Sequence, residues 1–255
     1  ICLWKATGAA QELTPRAYWP VPKGTRLAVV GYSFASGGVF FAPSVPLYGV
    51  DSTIHAGVFA YLQAFSLWGR TTTILVDLPY AWGATDGLIY SIPARGNFSG
   101  VGDLGATLAV NLFGAPSMSP KEFQELRADP HPILGASFKI VAPTGSYDSE
   151  RLLNVGANRW AGRAELGCII PLRPKWLLEV DGGAWFFGDD EDFLVGKKEQ
   201  APILAARFHL VRRFKPGFWA SLDLNYFTGG RQTIGGNRLD DLQRNSRFGG
   251  TVVVP

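Results

Sequence analysis

The sequence predicts an all-β protein, an antiparallel up-and-down transmembrane β-barrel. Three observations predict it. Apolar and polar residues alternate with period two along most of the chain, aromatic residues gather near the ends of the apolar face, and tight turns alternate with long polar connections.

Composition narrows the alternatives. Among 255 residues aromatics make up 13% and Gly numbers 31, yet mean hydropathy is only +0.08 and no window approaches the ~18 apolar residues of a spanning helix. A helical membrane protein is therefore excluded. The net charge of +3 comes from Lys and Arg scattered singly, with no basic stripe, so no nucleic-acid partner is expected. Cys2 and Cys168 are too few for a disulfide framework or a Cys-rich metal site. The opening residues end in Thr7-Gly8-Ala9-Ala10 before polar Gln11-Glu12, which predicts that 1–10 are the remnant of a signal peptide and 11–255 a single barrel domain.

The strands follow in order from Thr25. From Thr71, Ile74, Val76, Leu78 and Tyr80 share one face and Thr71, Thr73 and Asp77 the other. Leu104, Ala106, Leu108, Val110 and Leu112 oppose Asp103, Thr107 and Asn111; Leu134, Ala136, Phe138 and Ile140 oppose Ser137 and Lys139. Trp160, Ala164, Leu166, Cys168 and Ile170 oppose Arg159, Arg163 and Glu165. Trp176, Leu178 and Val180 oppose Glu179 and Asp181, while Leu204, Ala206, Phe208 and Leu210 oppose Arg207 and His209. Finally Phe218, Ala220, Leu222, Leu224 and Tyr226 oppose Ser221, Asp223 and Asn225. Each run is about ten residues, near the 9–11 that cross a bilayer at a tilt.

Aromatics gather near the strand ends of the apolar face: Trp68, Tyr80, Trp82, Phe113, Trp160, Trp176, Phe186, Phe214, Phe218 and Tyr226. Rings with one apolar and one hydrogen-bonding end favour the water–lipid boundary, so two girdles are expected. Gly69-Arg70, 171–174 and 214–217 read as tight periplasmic turns; 37–54, 83–99, 144–157, 188–200 and 228–246 read as long outer loops. The stretch 114–132 departs from this pattern. Its Ser119-Pro120-Lys121-Glu122 has the form of an N-cap, an N1 proline and a capping-box Glu, and predicts one short helix. About ten strands result. Because the chain finishes Val254-Pro255 rather than on an aromatic, the expectation is ten strands of a probable twelve, with the C-terminus truncated.

Other motifs lead elsewhere. Gly100-Val101-Gly102-Asp103-Leu104-Gly105 matches a dinucleotide motif, but an alternating strand follows it instead of the required helix. His55, His131 and His209 lack ligand spacing and no Gly-x-Ser-x-Gly elbow occurs, so no catalytic residue, cofactor or metal is expected, and the chain reads as a non-enzyme. The acidic run 188–192 in an outer loop reads first as a solvated loop offset by Lys197 and Lys198, and second as a cation site bridging to lipopolysaccharide.

The inward parity is the more informative set: Lys139, Arg159, Arg163, Glu165, Glu179, Asp181, Arg207, His209 and Asp223. An Arg or Lys facing lipid at the midplane costs about 2–4 kcal/mol, which assigns these side chains to the lumen. There they form either a solute path or a polar network that holds the barrel together; the sequence leaves both open.

Several phrases together resemble a known family, the outer-membrane proteins of the MetA pathway of phenol degradation. They are Gln11-Glu12-Leu13-Thr14-Pro15-Arg16-Ala17-Tyr18, Ser99-Gly100-Val101-Gly102-Asp103-Leu104, Ala142-Pro143-Thr144-Gly145-Ser146-Tyr147 and Asn154-Val155-Gly156-Ala157-Asn158-Arg159-Trp160. The resemblance implies a barrel in the Gram-negative outer membrane, with membrane lipid and lipopolysaccharide around it and small hydrophobic or aromatic compounds as solutes. A passive channel is the leading expectation. The rivals are a non-conducting surface barrel, a membrane-embedded hydrolase and a soluble periplasmic ligand-binding barrel, the last of which requires the aromatic-ended face to point inward.

Overall fold

A computed structural model describes residues 15–39, 47–89, 92–151, 154–193 and 196–255. The expectation of a signal-peptide remnant over 1–10 lies outside them. Fourteen strands and one helix are present among the described residues: β1 (Arg26–Val39), β2 (Leu47–Leu67), β3 (Arg70–Ile89), β4 (Ile92–Val101), β5 (Leu104–Phe113), α1 (Pro120–Ala128), β6 (Ile133–Ala142), β7 (Ala161–Arg173), β8 (Trp176–Phe187), β9 (Lys198–Gln200), β10 (Ile203–Lys215), β11 (Phe218–Gly229), β12 (Gln232–Ile234), β13 (Asn237–Arg238) and β14 (Gln243–Val253).

The main sheet is curled, antiparallel throughout and ordered β1-β2-β3-β5-β6-β7-β8-β10-β11-β14, which is chain order. β4 pairs with the Tyr80–Ile89 end of β3 and β5 with its Thr72–Asp77 end, so the two make one interrupted stave. Ten staves result, with β1 and β14 as the edges among the described residues. Each of the alternating runs from Thr71 onward corresponds to one of these strands, with Asp103 just before β5 and Arg159 and Trp160 just before β7.

Burial decides which face meets lipid. Leu166, Leu204, Phe138 and Leu222 are 58%, 56%, 53% and 69% exposed, whereas the charged residues of the opposite parity are buried. A soluble barrel buries its leucines and solvates its charges; this one does the reverse. Trp68, Phe113 and Phe214 stand exposed near the tight-turn end and Trp82, Trp160 and Phe186 toward the loop end, as two girdles require.

Two connections differ from the sequence reading. The expected long loop 83–99 is instead a β3–β4 hairpin in register from Tyr80↔Val101 to Ile89↔Ile92, and β2 already begins at Leu47, inside the expected loop 37–54. Polar residues there mark departure from the bilayer, not the end of hydrogen-bonded pairing, so β2 and β3 run to 21 and 20 residues, about twice the crossing length. Among its described residues the connection 144–157 carries no strand, while the loops containing 188–200 and 228–246 meet through a small β13-β12-β9 sheet.

The helix forms where its capping signals lie. Ser119 Oγ accepts the Glu122 N–H and Glu122 Oε2 accepts the Ser119 N–H at 2.6 Å, closing the capping box. Leu126 then buries against Trp19, Met118 and the inward residues Ile133, Ile169, Leu177 and Val211. These four lie next to the tight turns, so the interior is not polar throughout: its inner end is an apolar layer covered by α1 and by the segment before β1. A second apolar cluster, Trp185, Ile203 and Phe227, occupies the interior toward the loops.

Candidate functional site

Between the two apolar layers lies a polar belt built by strand parity. Eight of the nine expected residues sit there, none more than 8% exposed: Lys139 on β6, Arg163 and Glu165 on β7, Glu179 and Asp181 on β8, Arg207 and His209 on β10, and Asp223 on β11. Arg159 stands apart, before β7, where its guanidinium donates to the side-chain Oε1 of Gln200 and lies 4.9 Å over the Phe187 ring.

Register brings opposite charges together. Asp181 is the cross-strand partner of Arg207, Glu179 of His209 and His209 of Asp223. Arg207 forms an ion pair with Glu165 and lies 3.7 Å from Asp181. Arg163 Nε lies 3.8 Å from Glu165, and Lys139 reaches Asp77 on β3 at 3.0 Å. His209 Nδ1 lies 2.8 Å from Asp223 Oδ1, which also accepts the Ser221 hydroxyl at 2.7 Å, while Thr251 donates to Asp223 Oδ2 at 2.9 Å. Ser221 thus donates to the carboxylate and not to the imidazole. The grouping is a hydrogen-bonded network, without the nucleophile–base contact of acyl transfer.

Sequence reasoning missed the element that completes this belt. The residues before β1 enter the barrel, and Tyr18 is 2% exposed. Its hydroxyl donates to Glu165 Oε1 at 2.9 Å and meets Ser137 Oγ at 2.9 Å, its carbonyl accepts from Asn111 Nδ2 at 3.2 Å, and the Arg16 N–H donates to Glu179 Oε2. The ring lies flat on Gly135 and Gly167, cross-strand partners on which any Cβ would stand within 2.2 Å of ring atoms. A glycine inside a strand is a sign of close approach by another backbone or side chain, and these two were the available signal.

At the loop end, the phrases around Asp103, Gly145 and Gly156 meet. Asp103 accepts the Gly145 N–H at 2.8 Å and the Ala157 N–H at 2.7 Å, and Gly145 packs on Gly156 closely enough to forbid a Cβ. Asp190 accepts from Tyr147 Oη at 2.7 Å and Asn158 Nδ2 at 2.8 Å, tying two loops together. Burial, then this bond to Asp190, pushes the Tyr147 hydroxyl above the usual phenol range. Lys197 bridges Asp189 at 2.6 Å and Glu191 at 3.2 Å, and these bonds hold its ammonium above the usual lysine range. The acidic run is thereby engaged by protein donors. A cavity of about 410 Å³ opens beside it, lined by Tyr147, Ser149, Asn158, Asp192 and Phe193. Below lie Trp185 and Phe187, stacked at 6.3 Å, with Arg163 5.3 Å over Trp185.

The comparisons agree with this architecture. The family described as MetA-pathway of phenol degradation matches residues 33–254. The crystal structure of an outer-membrane channel from Pseudomonas putida F1 is similar at 25% identity and TM-score 0.72, covering 93% of this chain and 84% of that one. No curated protein matches the chain.

Proposed function

This chain belongs to the MetA-pathway of phenol degradation family and is an outer-membrane β-barrel, and from that premise we propose that it is a passive channel for small hydrophobic or aromatic compounds. The observation that carries the solute class is the aromatic section inside the loop end: Trp185, Phe187 and Phe227 face inward, and the buried Trp185 indole N–H has no acceptor among the described residues. Aromatic solutes can stack on such rings, and a phenolic oxygen can accept that indole proton. The polar belt below serves as the filter. Its charges are paired and fixed by Tyr18, so it resists bulk ion flow through steric and electrostatic restriction rather than offering a wide aqueous pore.

The test is uptake. Proteoliposomes holding the full chain should accumulate labelled phenol or toluene faster than empty liposomes while glucose entry stays near background, and Trp185→Leu should slow the aromatic solutes selectively. Equal entry of all three with and without protein rejects the channel. The second reading, a non-conducting surface barrel, is favoured by the inner apolar layer with Trp19 and α1, and it is the reading that this negative result would leave standing.

A further inference from the structure

The lipid-facing surface carries a cationic row that solute passage does not use. Where β7, β8 and β10 approach their tight turns, Arg173 is the register partner of Trp176, and Trp176 that of Arg212. Paired residues on neighbouring strands project from the same face. Trp176 belongs to the outward set of β8, so both arginines project from the outward face, their backbones about 10 Å apart across two inter-strand spacings and within reach of each other's side chains. Arg173, Arg212 and the nearby Lys215 are all exposed. No Asp or Glu among the described residues shares the outward face of β7, β8, β10 or β11.

The rings fix both the depth and the orientation of Arg212. Its guanidinium lies 5.3 Å from the Trp176 ring and 5.2 Å from that of Phe214, and Phe214 stacks on Phe218 at 4.6 Å. Aromatic rings of this kind sit at the headgroup boundary, where a lipid-facing arginine is tolerated although it is costly at the midplane. Stacking by cation–π contact occupies the faces of the guanidinium and leaves its N–H edge open, and that edge matches a phosphate bidentately. One row toward the midplane, Ile170, Leu178 and Leu210 are register partners and supply an apolar track.

We propose that this row is a binding site for an anionic glycerophospholipid of the periplasmic leaflet, its phosphate held between Arg173 and Arg212 and its acyl chains lying along Ile170, Leu178 and Leu210. The ligand belongs to that leaflet because the row lies at the tight-turn end, whereas the phosphates of lipopolysaccharide lie at the loop end.

Native mass spectrometry of the detergent-purified full chain tests this, with phosphatidylglycerol, phosphatidylcholine and lipid A as separate probes and heat-dependent gel mobility as the check on folding. Phosphatidylglycerol should be retained at least about tenfold better than phosphatidylcholine, and Arg212→Gln or Arg173→Gln should each reduce that preference by about fivefold, the effect of one basic residue near an anionic surface. Arg212→Lys, which keeps the charge but loses the fork, should fall between. Equal retention of the two phospholipids, or an unchanged preference in both Gln variants, overturns the site. Preferential retention of lipid A with the same dependence on Arg212 overturns the choice of ligand.

Discussion

The Tyr18 hydroxyl donates to Glu165 Oε1 at 2.9 Å, joining residues 147 positions apart and fixing the segment before the first strand inside the barrel. The same carboxylate faces Arg207 and Arg163, so a single neutral donor ties the chain's N-terminal segment to the centre of the charge network.

Tyr18→Phe should loosen that tie. Loss of the hydroxyl leaves a buried carboxylate short of one donor, a cost of about 1–3 kcal/mol, and the segment should be released more often. In planar bilayers the variant is expected to show larger and more frequent current fluctuations. Gly167→Val should do the same by another route, because its first side-chain carbon alone would stand 2.1 Å from a Tyr18 ring atom. Currents identical to the parent in both variants would remove Tyr18 from any role in occlusion.

Arg207→Leu should be the most destabilising change in the polar belt. It leaves Glu165 and Asp181, 6% and 4% exposed, without their shared cation. Breaking a buried pair from one side costs about 3–5 kcal/mol. The temperature at which gel mobility shifts on heating should fall clearly below that of the parent, and Leu210→Ala on the outward face should move it far less.

Asp103→Ala should free the loop between β6 and β7. Two N–H donors, those of Gly145 and Ala157, lose a charged acceptor, and each such bond contributes about 1.5–3 kcal/mol. Limited proteolysis on intact cells should cut within 144–157 faster than in the parent. A cutting rate equal to that of the parent would show that Gly145 packing on Gly156 suffices.

Ser119→Ala should cost the helix about 1 kcal/mol, read as faster amide exchange over α1. The capping box also has a pH signature. Hydrogen bonds from Ser119 hold the Glu122 carboxyl below the usual glutamate range, so its contribution is full above the unfolded value of about 4.3 and is lost as pH falls through the lower folded value. The protection of α1 amides, taken relative to the intrinsic exchange rate at each pH, should therefore fall on acidification in the parent, and this acid sensitivity should weaken in Glu122→Gln.

Much of the fold was legible because strand parity is a local property. Each alternating run from Thr71 to Tyr226 became a strand with leucines outward and charges inward, since a period of two fixes opposite faces whatever the strand's neighbours are. The helix was equally local: Ser119, Pro120 and Glu122 lie within four residues. Loop boundaries were less legible. Polar composition at 83–99 looked like a loop because hydropathy reports the solvent, whereas the β3–β4 hairpin rests on backbone bonds that composition does not encode.

What the sequence determined by itself was the set of residues turned inward and the set turned to lipid, because that choice needs only the alternation and the cost of charge in hydrocarbon. Which inward charges meet was decided by tertiary structure, because register and barrel curvature place Arg207 between Glu165 and Asp181 and bring Lys139 to Asp77 across two strand boundaries. The placement of Tyr18 belongs to the same level: a segment without strand periodicity can be positioned only by the cavity that receives it, and Gly135 and Gly167 shape that cavity only once their strands are paired.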